Sequence, residues 1–522
     1  MMNPQMAEDI TVLQQYLTPT TSEIRVPPKL YSTISTGPGS RPVVYLSLPK
    51  KRKGLRNVID PGRVQREIIE NVLGPCAAEV REAYFEHLHP CFPVLDDTTF
   101  KDMWRDDSDR ISPTLVCDLY ASALQVWNRS SVLRHQLRPD PHFIWNQAVI
   151  ALQDDFMAPT ISTVHAAVLD LLGRPVIGVT GNIVNAGRIV TLAQSLGLHR
   201  DPSSWKATPH EKSVRINLWW GILIHDYWSS IGHGTPPTIN PLYHDVPLPS
   251  FSDQVQAPLQ TFVQLCKLSQ ILGDVLPLVY SLRDTSDAMK RQLRKIECNL
   301  DDWVVDLPEY LQSTHETPFK VNGGSNLWFA YLSLRVLVCR VSFKTVLEAT
   351  HQTTEARQYH LVMLKDAALE ATNFITSLTE TQFHEFWMPY TSYLLVTSAT
   401  ILLRCTIESN DLNKKKACVT QLVAFCNRLR TARDALQWDL AEFCLERCEE
   451  PIQRIADALG VSLSHLQTTM HVDQAVSLEH QHSELAQHHD TSVDGLFLPI
   501  DSLDYPWETL WNDMEGPWSI QI

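Results

Sequence analysis

The sequence holds eleven cysteines and not one Cys-x-x-Cys pair. No finger-like or ribbon-like zinc motif can be built from that spacing. The cysteines are scattered from Cys76 to Cys448 and read as buried free thiols of a reducing, intracellular compartment. Lys and Arg stop at Arg454, while eleven Asp and Glu follow, so the last 68 residues carry −11 of the formal −15. The rest of the chain is close to neutral, which excludes a broad cationic face for nucleic-acid phosphates. Long apolar runs are missing as well. The most apolar, Tyr393 to Leu403, contains Thr and Ser and stops at Arg404, as a buried helix does and a membrane span does not. Met1 to Leu17 lacks the basic and apolar regions of a secretory signal. There is no Gly-rich phosphate loop, GxSxG elbow, HExxH helix or cysteine in a nucleophile's context. No catalytic, cofactor-binding or metal-ligating residue is assigned, and a non-enzyme is expected.

What is present is 522 residues, 44% apolar and 20% charged, enough for one large helical domain. Residues 1–62 are rich in Thr, Ser, Pro and Gly and read as a disordered arm. The arm carries Lys50, Lys51, Arg52, Lys53 and Arg56, five cations in seven positions, an extended strip of the kind an importin groove reads. Nuclear localisation is the expectation, with a solvated basic run or a phosphate-binding arm as the alternatives. Helical periodicity begins at Arg63 and continues to about 455, with no strand pair joined by a hairpin turn. Helices are expected at Arg63–Glu86, Ser112–Asn128, Phe143–Phe156, Ile161–Leu172, Thr261–Ser281, Ser286–Val305, Asn326–Thr350, Glu355–Leu378, Trp387–Ser409 and Ala417–Cys448. The fold class is all-α. Between Tyr84 and Phe100 the prolines of HPCFPVLD force an elbow whose Phe92, Val94 and Leu95 must be buried. His87, His89, Cys91 and Asp96 of that elbow match no usual zinc spacing.

Residues 456–522 form an acidic and aromatic tail, expected to be disordered. Leu503, Tyr505, Leu510 and the tryptophans Trp507, Trp511 and Trp518 alternate with acids there. Repulsion keeps such a segment extended, and its aromatics stay available to a partner's groove, the composition of an activation domain. A strap packing onto its own body is the alternative.

The stretch 182–249 is the most informative. Its first helix ends at Gly197. Its second contains Arg215, Trp219, Trp220 and Asp226, and stops in a Gly-His-Gly-Thr-Pro-Pro turn. Arg215 and Asp226, eleven residues apart, lie roughly 16 Å apart along a helix and cannot pair, so each needs a partner on another helix or at a loop. Trp219 and Trp220 point about 100° apart, so one at most is expected to be fully buried.

Gly187, Gly197, His199, Arg200, Arg215, Trp219, Trp220, Asp226, Gly234, Pro236 and Asp245, with the elbow and the run Phe386–Thr391, resemble the fungal-specific transcription factor regulatory domain, or middle homology region. In the zinc-cluster activator family this domain lies downstream of a binuclear zinc cluster. The resemblance covers about residues 65–450 and implies an all-helical regulatory body. It also implies a nuclear transcription regulator or co-activator, partnered by other transcription factors and co-activator machinery and not by membranes. WWGILIHDYWSS and GTPP look most like a co-activator branch tied to nitrogen catabolism. Metabolite-sensing members make a small-molecule inducer a candidate ligand at Arg215 and Asp226. No cysteine precedes Cys76, so the cluster's six thiolates are missing. DNA contact is then expected to be indirect, or to run through a zinc cluster missing from a truncated gene model. A helical ligand-sensing or scaffold protein is a further alternative.

Overall fold

Fourteen consecutive residues, Asn217 to Ser230, are buried in the middle of one 25-residue helix, Pro209–His233. A helix buried on every side must be wrapped by others, and the fold is the means of wrapping it. The structure is a computed structural model. It describes residue 1 and residues 31–34, 43–46, 60–173, 179–251, 257–282, 286–312, 321–348, 353–409 and 411–461. The import-like cations at 50–56 and residues 462–522 of the acidic tail lie outside the described residues, while the tail's first residues, 456–458, belong to the last described helix, against the expectation of disorder from 456.

Two short strands come first, β1 (Tyr31–Ile34) and β2 (Val43–Leu46), paired antiparallel with Tyr31 opposite Leu46. The helices that follow are α1 (Arg63–Leu73), α2 (Ala77–Ala83), α3 (Asp97–Asp107), α4 (Pro113–Ala123), α5 (Pro141–Asp155), α6 (Ile161–Gly173), α7 (Val179–Ser195) and α8 (Pro209–His233). After these come α9 (Ala257–Tyr280), α10 (Ser286–Val305), α11 (Gly324–Leu347), α12 (Thr354–Ser377), α13 (Glu380–Phe383), α14 (Thr391–Glu408), α15 (Leu412–Leu436) and α16 (Glu442–Ala458). Their starts follow local chemistry. Ser112, Asp140 and Thr208 each cap a helix with the side-chain oxygen, and each is followed by a proline whose missing N–H costs nothing there.

Helix α4 packs against α1, α5 and α6, and α6 leads through α7 to α8. Helix α9 covers α8 and connects to α10 and α11, after which α11, α12, α14, α15 and α16 complete the body. The elbow joins the two sides. Phe92 lies 5.4 Å from the His225 ring of α8, 5.5 Å from Phe262 of α9 and 6.2 Å from Phe386, measured between ring centroids. Its neighbours Val94 and Leu95 are buried as expected.

Four further expectations are corrected. Trp219 and Trp220 are both fully buried, at 0% and 1% exposure. The angular argument assumed one buried face, whereas α8 has neighbours in α6, α7, α9 and α14 as well as the elbow. The amino-terminal arm contains the β1–β2 pair, against the expectation of no strands. The expected helix 417–448 is two helices. Gln437 adopts a left-handed conformation (φ 56°), and Trp438 turns inward to ring centroids 4.9 Å from Phe383 and 5.4 Å from Trp387. Residues 386–390 are not helical, because Asn322 and Asn326 accept hydrogen bonds from the backbone of Phe386 and Met388, both at 2.9 Å.

Candidate regulatory site

Helix α7 ends where Gly197 takes φ +72°, and Leu198 N–H closes the turn on the Ala193 carbonyl at 3.0 Å. This is the left-handed stop that glycine permits without strain. Glycine is needed there twice over, since a Cβ would collide with the Tyr45 hydroxyl. That hydroxyl donates to the Leu196 carbonyl at 3.0 Å, docking β2 on the end of α7. At Gly187 the demand is weaker, because a Cβ would meet Thr238 at an ordinary 3.5 Å.

The connection after α7 is held to the 234–249 loop by Asp245. Its carboxylate lies 3.2 Å from the Arg200 guanidinium and accepts the Asp201 N–H at 2.6 Å, while its own N–H donates to the His199 carbonyl. From α8, Asp226 accepts the N–H groups of Thr238 (3.0 Å) and Ile239 (2.7 Å), and the Trp220 indole donates to the Pro247 carbonyl at 2.7 Å. Gly234, at φ +75°, closes α8 on the Ser230 carbonyl, and Pro236 follows in the turn. The loop is thereby fastened at its start, middle and end.

Arg215 and Asp226 do not meet, as helix geometry requires. Arg215 pairs with Glu211 one turn earlier at 3.2 Å and lies 5.1 Å from the centre of the Trp205 ring. Its ionic partner is therefore on its own helix, not on another. Burial holds the Asp226 carboxyl above its usual range, offset by the two backbone N–H donors.

The histidines here are held neutral. Burial pushes His225 down to about 3 and, with the Arg200 charge alongside, His199 down to about 4. His225 Nδ1 pairs with the Tyr390 hydroxyl at 2.8 Å. The Trp219 ring sits between His244 (5.4 Å) and His199 (6.1 Å). Among the described residues no group of His, Cys, Asp and Glu is arranged to hold a metal ion. In the elbow, His89 Nε2 pairs with the Leu95 carbonyl at 2.9 Å, and the Cys91 thiol faces the Asn322 carbonyl at 3.3 Å.

Sequence reasoning missed several of these groups. Asn217 donates to the Pro93 carbonyl at 3.0 Å, tying α8 to the elbow. Glu385 accepts the Ser325 N–H at 3.2 Å near the start of α11, and burial pushes its carboxyl up to about 7. Asn217 and His225 did leave a signal, as polar residues inside an apolar helical run that must find partners once buried. Tyr45 and Glu385 left none.

The space beside α8 is small, while a groove of about 350 Å³ between α9 and α10 is lined by Asp274, Arg291, Gln292, Lys295 and Ile296. The cavity beside α8, lined by Trp228, Leu265, Asn326, Met388, Tyr390 and Leu394 among others, measures about 10 Å³. That is room for about one water, against the few hundred Å³ a metabolite requires. Asp226 and Asp245 are engaged in holding backbone N–H groups.

Residues 82–305 match the fungal specific transcription factor domain. The chain is 24% identical over 381 residues to an uncharacterized transcriptional regulatory protein of Schizosaccharomyces pombe, covering 71% of this chain and 56% of that protein. It is 23% identical over 407 residues to the transcriptional activator protein DAL81 of Saccharomyces cerevisiae, covering 64% and 41% respectively. An acetamidase regulatory protein of Aspergillus fumigatus is 24% identical over 242 residues, 45% of this chain and 31% of that protein. The chain thus spans about half the length of the curated relatives it matches first.

Proposed function

We propose that this chain, whose residues 82–305 are a fungal specific transcription factor domain, is a nuclear regulator of RNA polymerase II transcription acting through partner proteins. The observation that carries the reading is where the matched span falls. It begins before the elbow, runs through α8 and its loop, and ends with α10, so the family resemblance lies on the groups that build the body. Asp226, Asp245, Arg200 and Asn217 each serve that packing, and the cavity beside α8 has space for about a water. Signal input at protein surfaces is part of this reading. The basic strip at 50–56 supplies nuclear import, and the acidic, aromatic tail supplies contact with the co-activator machinery. Genes of nitrogen-source use are the proposed targets. Transcript profiling of a deletion strain on poor nitrogen sources tests this, and an unchanged profile would remove it.

The tail is tested by fusing residues 490–522 to a heterologous DNA-binding module. Reporter activation is expected, and it should be lost when Trp507, Trp511 and Trp518 are all replaced by Ala. No activation, or activation indifferent to those substitutions, would sink the tail's role.

A second reading is favoured by the length of the relatives. Here the regulatory body belongs to a longer DNA-binding activator with a zinc cluster ahead of residue 1. A reading frame with Cys-x-x-Cys spacing in the genomic DNA upstream would decide for it. Tight, specific promoter binding by the purified 522-residue chain would contradict both readings.

A further inference from the structure

Helix α10 carries most of its charges in two blocks. Lys290, Arg291, Arg294 and Lys295 occupy the first half, Asp301 and Asp302 stand near the end and Asp306 directly follows it, with Asp287 at the start and Glu297 between the blocks. All seven side chains of the two blocks are exposed. The buried face of the same helix is Leu293, Ile296, Leu300 and Trp303. None of the seven forms an ion pair with another described residue within 4.0 Å. The acids near its end also oppose the helix dipole, which favours bases in the last turn. The last turn of α10 has no basic residue. Neither internal pairing nor helix stability accounts for the arrangement.

Its symmetry does. Cys298 is exposed and lies at the centre of the solvent face. Lys295 and Arg294 stand three and four residues before it, Asp301 and Asp302 three and four after. Arg291 stands seven before and Asp306 eight after. All lie within about 80° of Cys298 around the helix. Two copies of such a face laid antiparallel across a two-fold axis bring opposite charges together along their length. Arg294 meets Asp301 of the second copy, Lys295 meets Asp302, and Arg291 meets Asp306. Val305, 78% exposed, adds apolar surface about 10 Å along the helix from the axis. An isologous contact of this kind needs a self-complementary patch, and charge order sets its register.

We propose that the exposed face of α10 is a dimerisation surface for a second copy of this chain, centred on Cys298. The same face does not suit a phosphodiester backbone, because the acids at its end would repel one. Two charges nearby belong to the helix's neighbours. Glu297 lies close enough to Cys339 on α11 to act on its thiol, and Lys295 close enough to Asp274 of α9 to act on its carboxyl. Both stand at the edges of the face and leave its centre free.

The experiment uses the full chain in sedimentation velocity, at low and high salt and over micromolar to tens of micromolar concentrations. A dimer that weakens with salt is expected. The R294E/K295E variant and the D301K/D302K variant should each be monomeric, with unchanged circular dichroism. Mixed in equal amounts they should form a heterodimer, since one face is then largely acidic and the other largely basic. A bismaleimide should cross-link the wild type but not Cys298→Ser. A monomeric wild type overturns the proposal. So does a dimer that both charge variants retain, a mixture that fails to associate, or cross-linking that survives loss of Cys298.

Discussion

Replacing Asp226 by Ala removes the buried acceptor that fastens the middle of the 234–249 loop to α8. The carboxylate, in a residue 4% exposed, accepts two backbone N–H groups. Hydrogen bonds to a charged group contribute about 1.5–3 kcal/mol each. Thr238 is exposed, so its N–H regains water after the substitution. Ile239 is 3% exposed, and its N–H is left unpaired. An orphaned buried donor costs about 1–3 kcal/mol. Part of this is offset, because burial disfavours the Asp226 charge and the variant no longer carries it. The balance is a net loss of about 2–3 kcal/mol. At about 2.1 cal/mol/K of unfolding entropy per residue and about 400 structured residues, the melting temperature falls by about 2–4 °C. Differential scanning calorimetry reads the global change, and hydrogen exchange of the peptide spanning 234–249 reads the local one. The loop should exchange faster, with the loss of protection centred on Ile239. A variant with unchanged melting and an unchanged Ile239 amide would refute the reasoning, because neither hydrogen bond would then be holding the loop.

Gly197→Ala forces a Cβ into a left-handed backbone, at about 1–2 kcal/mol, and displaces Tyr45. Limited proteolysis should cut the arm near β2 faster than in the wild type, and equal rates would contradict the docking. Glu385 has a folded-state pKa of about 7 against an ordinary 4.5, so the stability it contributes is full below about pH 4.5 and lost as pH rises through 7. Glu385→Gln lacks that loss, so the variant's stability relative to wild type should rise between pH 5 and pH 8 by at most about 3 kcal/mol. A difference that stays constant with pH would show that Glu385 does not titrate in that window. Replacing Lys50, Lys51, Arg52 and Lys53 with Ala should leave a tagged protein cytoplasmic, and a retained nuclear signal would assign import to another segment.

Most of the helical body was legible because its apolar residues recur at helical spacing over long stretches. Helix α10 spans Ser286–Val305 as the periodicity predicts, and α6 spans Ile161–Gly173, one residue beyond expectation. The break at Gln437 was illegible for a physical reason. A non-glycine residue takes the left-handed conformation there, and tertiary burial of Trp438 drives the turn where glycine or proline would usually mark one. The strand pair was equally hidden. VVYL and YSTI are four residues each, too short for alternation to stand out in a Pro- and Gly-rich arm. At the site, the glycine stop and the separation of Arg215 from Asp226 followed from helix geometry alone. The Arg215–Glu211 pair is an i,i+4 pair that helix spacing also encodes, but Thr238, Ile239 and Trp205 are matched to Asp226 and Arg215 by tertiary packing that periodicity does not encode.

The enclosure of α8 bears on how such a protein can be dissected. Its fourteen buried residues draw on α6 and α7 from one side of the sequence and on α9 and α14 from the other. A fragment that ends shortly after His233, or begins shortly before Pro209, exposes three tryptophans and a run of Ile and Leu to water. Such fragments would be lost to aggregation or proteolysis before any regulatory property could be read. Loss of function across a nested deletion series would therefore trace the outline of one cooperative folding unit. Separating what this body senses from what keeps it folded calls for single surface substitutions instead.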